Sequence, residues 1–333
     1  MINIGFVGLG GMGMGQVNAF AATGACRVIA GADPFPGAQE GFKKKFPDAE
    51  VYSNYKQLLR NKKVDALVCV TPTLYHRDVV IDAMKSGRDV LTEKPLARSV
   101  AHGRQMIEAA HKTRKLLMVA HCRRFDTDWG TLARIVQAGT IGRPILWRHA
   151  IASLFRFGGP WFLDDKLSGG PLFDGAVHNY DFGNLMFGDP ESVVARSIKL
   201  TTNTAMDTAT AVVQYKSGDQ IMVCWTWGIA SSGCHDLLGP KGSINFGPGD
   251  FANDKLNTSD FGYYVTADPG RAKKKLWKFK RTDMYVTQAR HFLDCLKGKT
   301  RCITPATEAI KGIAVAEAIL KAARGNGIAK VKW

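Results

Sequence analysis

The chain has 333 residues, of which 45% are hydrophobic and 22% are charged. This length allows two domains with a core each, and the composition is that of a soluble globular protein rather than a disordered or fibrous one. No apolar run is long enough to cross a bilayer, and the first residues lack the basic segment and cleavage site of a secretory signal. The seven cysteines include no C-x-x-C pair, which favours a reduced compartment. We therefore expect a cytoplasmic protein with no membrane partner.

The net charge of +16 is carried in large part by Lys43–Lys45 and the segment Arg271–Arg281. Basic residues with interleaved aromatics can bind nucleic acid. They can equally form a solvated surface or a field that steers an anionic ligand. No helix-turn-helix, zinc-finger or RNP pattern accompanies them, so a nucleic-acid partner is not expected.

The first predicted elements are a strand, a glycine-rich turn and a helix. An apolar run spans residues 2–7, helical spacing continues to residue 24, and glycines between them match G-x-G-x-x-G. In this pattern the first glycine makes a tight turn, the second lets a pyrophosphate approach the backbone, and the third lets the helix pack on the strand. The N–H groups at the helix start then face the anion. The residues predicted to contact a dinucleotide here are Gly8, Gly10, Gly11, Met12 and Gly13.

The second predicted strand ends in an acidic residue. The apolar run Arg27–Ala32 is followed by Asp33, 20 residues after Gly13. A carboxylate at this position can accept hydrogen bonds from the adenosine ribose. Pro34 and Phe35 come next, with no arginine to hold a 2′-phosphate, so the sequence favours NAD over NADP.

Strands and helices alternate through the rest of the first 122 residues. This order predicts an α/β fold with a doubly wound parallel sheet, in which ligands bind at the carboxyl ends of the strands. Besides the glycine turn, Thr71–His76 and Glu93–Pro95 follow predicted strands and are expected at this edge. The later strands are predicted over residues 51–53, 65–70, 88–92 and 116–120, and the helices over 37–46, 55–61, 75–86 and 100–113.

The pattern changes after residue 122. Long apolar runs such as 209–215 and 220–227, joined by turns such as Ser217-Gly218, indicate an antiparallel sheet. We predict a first domain over residues 1–122 and an α+β second domain over 123–333, whose helix near 305–324 can pack back on the first domain. Other predicted helices cover 128–138, 170–187 and 285–296, and other predicted strands cover 144–151 and 329–333.

Glu93-Lys94-Pro95 places a lysine at the end of a predicted strand. Pro95 restricts Lys94 towards an extended backbone. A lysine at this edge can donate to a substrate oxygen, and burial or a neighbouring charge can lower its pKa. The tripeptide alone is also compatible with a solvated loop lysine.

A second group of polar residues lies in SGGPLFDGAVHNYD, residues 168–181. If the segment from Leu172 is helical, Asp174 and His178 are four residues apart and share a face, with Asp181 near it. This arrangement suits a histidine that transfers a proton beside a carboxylate. The same spacing also fits a helix-start aspartate and a histidine buried in the core. No H-E-x-x-H motif or cysteine partner is present, so no metal is expected.

In this order and at these spacings, the motifs together resemble the Gfo/Idh/MocA oxidoreductase family, which includes inositol dehydrogenases and glucose–fructose oxidoreductase. The resemblance covers essentially the whole chain. It implies an N-terminal Rossmann domain and a C-terminal domain on a large, mostly antiparallel open sheet. Such sheets often form subunit contacts, which implies a homodimer or homotetramer. The motifs are the glycine turn, Thr71-Pro72 with His76, Glu93-Lys94-Pro95, and Gly169-Gly170 followed by Asp174-x-x-x-His178-x-x-Asp181.

The resemblance also implies roles for individual residues. Lys94, Asp174 and His178 would be catalytic and would surround the reacting carbon. Arg123-Arg124-Phe125 resembles the R-R-F segment that leads out of the nucleotide domain. Further cofactor contacts are implied for Thr71, Pro72, His76, Glu93, Lys94 and Arg123, and substrate contacts for Lys94, Arg124, Trp161, Asp174 and His178.

The implied reaction is hydride transfer between a nicotinamide cofactor and a secondary alcohol or ketone of a sugar, cyclitol or sugar derivative. Two other functions remain open on the same scaffold. One is a glycosidase that uses tightly bound NAD for transient oxidation and elimination. The other is a non-catalytic regulator that binds NAD(P).

Overall fold

The structure, a computed structural model, describes residues 1–152, 160–201, 205–231, 233–246, 260–268 and 271–333. They form two compact units. The first unit combines Met1–Cys122 with Asp283–Ile310, and the second combines Arg123–Thr282 with Lys311–Trp333. The sequence-based division also falls between residues 122 and 123, but it assigned 283–310 to the second domain.

A six-stranded sheet in the order β3-β2-β1-β4-β5-β6 forms the centre of the first unit, and all its neighbouring strands are parallel. The strand order reverses between β1 and β4, which makes the carboxyl ends of these two strands a topological switch point. The predicted doubly wound parallel sheet is confirmed. The strands are β1 (Ile2–Val7), β2 (Cys26–Ala32), β3 (Glu50–Tyr52), β4 (Ala66–Cys69), β5 (Asp89–Thr92) and β6 (Leu117–Val119).

Helices flank this sheet because its central strands are apolar along both faces, a pattern typical of parallel sheets. All four residues of β4 are buried. The aromatic ring of Phe20 packs edge-on against Phe6 and Phe292, which joins β1 and two helices in one core. The helices of this unit are α1 (Gly11–Ala22), α2 (Pro36–Lys45), α3 (Tyr55–Leu58), α4 (His76–Lys85), α5 (Val100–Thr113) and α8 (Met284–Leu296).

The second unit is built on a nine-stranded sheet in the order β14-β13-β12-β11-β7-β10-β9-β8-β15. Among its described pairs only β7 and β10 are parallel. The predicted large, mostly antiparallel sheet is therefore confirmed. Its strands are β7 (Leu146–Ala152), β8 (Pro190–Ile198), β9 (Thr208–Tyr215), β10 (Gln220–Thr226), β11 (Cys234–Gly239), β12 (Gly242–Phe246), β13 (Phe261–Asp268), β14 (Arg271–Lys280) and β15 (Ile328–Lys330).

Helices cover one face of this sheet, and aromatic side chains pack between the helices and this face. Trp147 of β7 is fully buried and packs edge-on against Trp129, which in turn contacts Phe182. These last two residues lie on α6 (Thr127–Gln137) and α7 (Val177–Phe187). A π-helical turn, Pro171–Gly175, precedes α7, and α9 runs over Ala306–Arg324.

The basic segment identified in the sequence forms β14, an edge strand of the nine-stranded sheet. Lysines at a sheet edge are a common means of blocking edge-to-edge pairing. Two of them also lie over aromatic rings: Lys275 Nζ is 3.7 Å from the centre of Trp277, and Lys278 Nζ is 3.9 Å from that of Phe261. In the described residues, no helix is both long and apolar enough to span a membrane.

Two histidines are buried among the aromatic side chains of the second unit. The rings of His149 and His235 are 4.2 Å apart, and His235 stacks on Trp147 at 5.6 Å. Asn179 Nδ2 lies 2.9 Å from His149 Nδ1, so an amide donor there needs a neutral imidazole acceptor. Burial, with the nearby Arg123 charge, lowers the pKa of His149 to about 4, and burial also lowers the pKa of His235.

Because these two imidazoles are buried in the neutral form, we predict that the folded protein loses stability in acid. Below about pH 6.5 the unfolded chain takes up protons that the folded chain does not, so the free energy of unfolding falls between about pH 6.5 and 4. We expect the His235→Phe variant, which keeps an aromatic ring at this position, to lose about 2 kcal/mol less between pH 8 and pH 5 than the wild type, measured by urea unfolding.

Asp128 changes the free energy of unfolding in the opposite direction as the pH falls. Burial and the neighbouring Asp126 raise its pKa to about 6, so the folded chain takes up this proton before the unfolded chain does. Its contribution is common to both proteins and cancels in the comparison. An equal loss of stability in the wild type and the His235→Phe variant would show that His235 is not the buried neutral group.

Candidate functional site

The glycine turn lies at the switch point of the first unit, and its glycines differ in what an added side chain would meet. Gly8 has φ +91°, and a Cβ there would lie 2.4 Å from the carbonyl oxygen of Val70. A Cβ on Gly13 would lie 2.1 Å from the carbonyl oxygen of Gly8. A Cβ on Gly10 or Gly11 would meet no atom within 4 Å. Gly8 and Gly13 are therefore required by the fold, whereas the space above Gly10 and Gly11 is open.

This open space faces the start of a helix. α1 begins at Gly11, and its N-cap, Gly10, has no side chain to accept the first-turn N–H groups. No acidic side chain lies in the first turn. Uncapped N–H groups at a helix start bind anions, and the open backbone above them leaves room for one. The residues present thus fit the pyrophosphate of a dinucleotide.

Asp33 supports the turn from the neighbouring strand. Its carboxylate accepts hydrogen bonds from the N–H of Leu9 at 2.8 Å and from the N–H of Phe35 at 2.9 Å. Asp33 is 8% exposed. The predicted ribose-binding residue therefore also holds the glycine turn in place, and a carboxylate has further lone pairs for a ligand.

Exposed apolar side chains surround the same edge of the sheet. Met12 lies in the first turn of α1, Phe35 follows β2, and Leu74 and Tyr75 follow β4. Their exposed fractions range from 37% for Leu74 to 71% for Phe35. Apolar surface beside an anion-binding turn suits the flat faces of a nucleotide base.

The segments after β4 and β5 are tied together by buried polar side chains. His76 is 1% exposed, and its Nδ1 and Nε2 lie 2.9 Å and 2.8 Å from the carbonyl oxygens of Pro95 and Thr71. Glu93 Oε1 accepts a hydrogen bond from Gln16 Nε2 at 2.6 Å, and the N–H of Lys94 donates to Glu93 Oε2 at 3.1 Å. In the chain, Lys94 lies between Glu93 and Pro95, which both take part in these contacts, and Lys94 itself is half-buried.

The second group of candidate residues is divided between two kinds of helix. The sequence predicts one helix over 170–187, but the carbonyl of Pro171 accepts from the N–H of Ala176, five residues on, at 2.8 Å. The wider turn begins at Pro171, which has no N–H, and a Cβ on Gly175 would lie 3.0 Å from the Trp225 ring. Asp174 is in this π-helical turn and is buried, so the predicted single α-helix through Asp174 and His178 is wrong.

α7 begins one residue before His178, which is half-buried in its first turn. Asp181 follows on the same helix and pairs with Arg124: Arg124 Nε donates to Asp181 Oδ2 at 2.6 Å and Nη2 donates to Oδ1 at 2.9 Å. Nη2 also donates to the Asp181 carbonyl at 3.1 Å. The predicted substrate-binding arginine is thus a bidentate anchor for α7.

Two further predicted residues lie in short 3₁₀ segments. Arg123 donates to Asp126 at 3.1 Å, and its guanidinium lies 5.4 Å from the centre of the Trp129 ring. Trp161 is in the turn Pro160–Leu163, and its side chain lies outside the described structure. Within the described part of the chain, no group of three or more histidine, cysteine or acidic side chains could hold a metal ion.

Sequence reasoning did not find Gln16 or the role of Asp181. Gln16 lies between Gly13 and Phe20 on the buried stripe of α1, where a fully buried amide needs a polar partner. A polar residue on this otherwise apolar, buried stripe is the sequence signal that could have identified Gln16. No comparable pattern relates Arg124 to Asp181, which are 57 residues apart.

Comparison with known proteins shows the family to which the chain belongs. Residues 2–121 match the oxidoreductase family profile with an NAD-binding Rossmann fold, and residues 129–245 match the GFO/IDH/MocA C-terminal domain. The scyllo-inositol 2-dehydrogenase (NAD(+)) of Bacillus subtilis is 24% identical over 88% of this chain and 87% of its own. The myo-inositol 2-dehydrogenase of Thermotoga maritima is 29% identical over 65% of this chain and 66% of its own.

Solved structures share the whole fold at low sequence identity. An oxidoreductase from Agrobacterium radiobacter in complex with NAD+, L-tartaric acid and magnesium has a TM-score of 0.85 at 18% identity, covering 99% of this chain and 98% of its own. Levoglucosan dehydrogenase in complex with NADH has a TM-score of 0.85 at 18% identity, covering 99% of both chains. With both halves of the chain matched by profiles of one family, the protein is a member of the Gfo/Idh/MocA oxidoreductases.

Proposed function

We propose that this oxidoreductase oxidises a secondary alcohol of a cyclitol, sugar or sugar derivative, or reduces the corresponding ketone, with NAD as its cofactor. The main support for this proposal is the open glycine turn at the switch point, which is held in place by the buried carboxylate of Asp33. The inositol and sugar dehydrogenases among its relatives support the substrate class.

The cofactor would be held mainly by backbone groups of the glycine turn. Its pyrophosphate suits the N–H groups at the start of α1, and its adenosine ribose suits Asp33. A buried carboxylate at this position repels a 2′-phosphate, which favours NAD over NADP. The nicotinamide supplies hydride transfer when bound. The residues proposed to contact the cofactor are Gly8, Gly10, Gly11, Met12, Gly13, Asp33, Thr71, Pro72, Glu93, Lys94 and Arg123.

Three side chains are proposed to act on the substrate. Lys94 Nζ would donate to the reacting oxygen and stabilise the negative charge that develops there. An imidazole nitrogen of His178 would accept the hydroxyl proton during oxidation and return it during reduction. Asp174 would bind neighbouring hydroxyls or orient the His178 ring. We further propose that Arg124 and Trp161 line the substrate site, with Arg124 also anchoring α7.

We also propose that the protein is a homodimer or homotetramer that associates through the open face of the nine-stranded sheet. The second unit would thus serve both substrate binding and assembly. Support comes from apolar side chains on the outer strands: Val194, Ile198 and Ile328 are 53%, 61% and 64% exposed, and Val194 pairs directly with Ile328. Neighbouring exposed apolar residues of this kind mark interaction surfaces.

Two glycine substitutions separate cofactor binding from folding. We expect Gly10→Ala to weaken NAD binding by at least about 10-fold with an unchanged melting temperature, because its Cβ meets no protein atom but enters the proposed pyrophosphate space. Gly13→Ala should instead lower the melting temperature, because its Cβ would lie 2.1 Å from a backbone oxygen. Titration calorimetry and thermal unfolding measure both. Unchanged NAD affinity in Gly10→Ala would contradict the proposed site.

The proposed activity is tested by following the absorbance of the reduced cofactor across a panel of cyclitols, aldoses, uronic acids and keto-sugars. NAD+ and NADP+ are offered separately, and the ketones are offered with the reduced cofactors. We expect turnover with at least one polyol and a preference for NAD. Tight NADH binding without turnover of any of these classes would instead favour a regulatory role.

A further inference from the structure

His76 has an unusual hydrogen-bonding environment for a neutral histidine. It is the first residue of α4 and is 1% exposed. Its Nδ1 lies 2.9 Å from the carbonyl oxygen of Pro95, and its Nε2 lies 2.8 Å from the carbonyl oxygen of Thr71. Both distances are within the range of ordinary hydrogen bonds. Each ring nitrogen therefore faces a carbonyl oxygen, which can only accept a hydrogen bond.

A neutral imidazole cannot satisfy both contacts. It carries one N–H donor and one bare nitrogen, and the bare nitrogen would be directed at a carbonyl lone pair. The imidazolium form has an N–H at both positions and can donate to both oxygens. Charge-assisted hydrogen bonds of this kind are the strong ones, and they offset part of the cost of burying the charge.

Features near His76 in the chain have opposite effects on the stability of a protonated ring. The start of α4 disfavours a cation through the helix dipole. Asp78, in the first turn of the helix, opposes this effect but is itself paired with Arg77 at 2.7 Å. The segment after β5, whose Pro95 carbonyl contacts the ring, also contains Glu93 and Lys94, which carry opposite charges. The two carbonyl contacts favour a protonated ring.

The two contacts of His76 also hold the backbone next to Lys94. The Pro95 carbonyl belongs to the residue directly after Lys94, and Thr71 belongs to the segment after β4. On the other side of Lys94, Glu93 is held by Gln16 from α1. The backbone of the proposed catalytic lysine is thus held on both sides by buried side chains that come from other elements.

We propose that His76 is a positioning residue in the imidazolium form, which holds the Lys94–Pro95 segment against the end of β4. It acts on the reaction through Lys94 and does not need to touch the cofactor. This differs from the cofactor contact that the sequence implies for His76. The consequence for turnover rests on the proposed function, but the protonation state of the ring does not.

Nitrogen NMR of the whole protein, labelled with 15N-histidine, tests the protonation state directly. A long-range proton–nitrogen correlation distinguishes a ring with two N–H groups from one with a bare nitrogen, and the His76→Gln variant identifies the His76 signals. We expect both ring nitrogens of His76 to have protonated chemical shifts at pH 7.5. A bare-nitrogen shift for either one would overturn the imidazolium assignment, whatever the enzyme turns out to catalyse.

The positioning role is tested with the His76→Gln variant, since glutamine can donate to only one of the two opposed carbonyls. We expect kcat to fall at least about 10-fold because Lys94 is less well held, while the dissociation constant of ADP-ribose, which lacks the nicotinamide, stays within about 2-fold. The matched control is His111→Gln, at an exposed position of α5, which should behave as the wild type.

Two outcomes would overturn the positioning role. One is an unchanged kcat in His76→Gln. The other is a loss of ADP-ribose binding as large as the loss of kcat, which would show that His76 serves the nucleotide site. If no substrate is turned over by the wild type, the proposed function fails, and the NMR measurement still decides the state of the ring.

Discussion

Replacing His178 by alanine is expected to reduce kcat about 10²–10⁴-fold while the dissociation constant for NADH stays within about 2-fold. The reason is that the imidazole would accept the hydroxyl proton as the alcohol is oxidised, whereas the cofactor would be held mainly by the glycine turn of the first unit. His178 is half-buried at the start of α7, so the truncation should not unfold the protein. Steady-state kinetics and fluorescence titration of NADH measure both quantities.

The matched control for this variant is His178→Gln, which keeps a polar group of similar size but cannot act as a general base near neutral pH. It should be nearly as slow as His178→Ala. Full activity in the glutamine variant would mean that this position only orients the substrate. An equal loss of turnover and NADH binding in the alanine variant would remove His178 from the chemistry.

Lys94→Met is expected to lower kcat about 10²–10³-fold, because the variant keeps the length of the side chain but loses the ammonium that would stabilise charge on the reacting oxygen. The binding of NADH should change little. Lys112→Met provides the control, since Lys112 is also a lysine of the first unit and is 74% exposed in an ion pair with Glu108. Initial-rate measurements on both variants test the role of the charge.

Partial activity in Lys94→Arg would support a purely electrostatic role, because arginine keeps the charge with a different shape. Two results would contradict the assignment of Lys94. One is normal turnover in Lys94→Met. The other is a comparable loss in Lys112→Met, which would indicate a general effect of removing surface charge.

The fold could be predicted because its signals are local. Buried runs such as Ala66–Cys69 are apolar on both sides, which indicates a parallel sheet covered by helices on both faces. Glycines with positive φ end several predicted helices, for example Gly87 and Gly188. The assignment of Asp283–Ile310 to the first unit could not be predicted, because it depends on long-range packing such as that of Phe292 on Phe20.

Only part of the candidate site could be predicted. The glycine turn and Asp33 follow from spacing, since backbone geometry limits which residues fit there. The pairing of Arg124 with Asp181 and the carbonyl contacts of His76 depend on tertiary structure and leave no pattern in the sequence. The π-helical turn at Asp174 was missed because periodicity does not distinguish it from the first turn of an α-helix.

The central claim is that the enzyme moves a hydride from a carbon of its substrate to the cofactor. The most direct measurement uses a polyol from the substrate panel that carries deuterium on the carbon to be oxidised. After reaction with NAD+, mass spectrometry of the cofactor should show the deuterium in the reduced nicotinamide. Deuterium released into water, or a cleaved product without reduced cofactor, would contradict the account and indicate an elimination reaction instead.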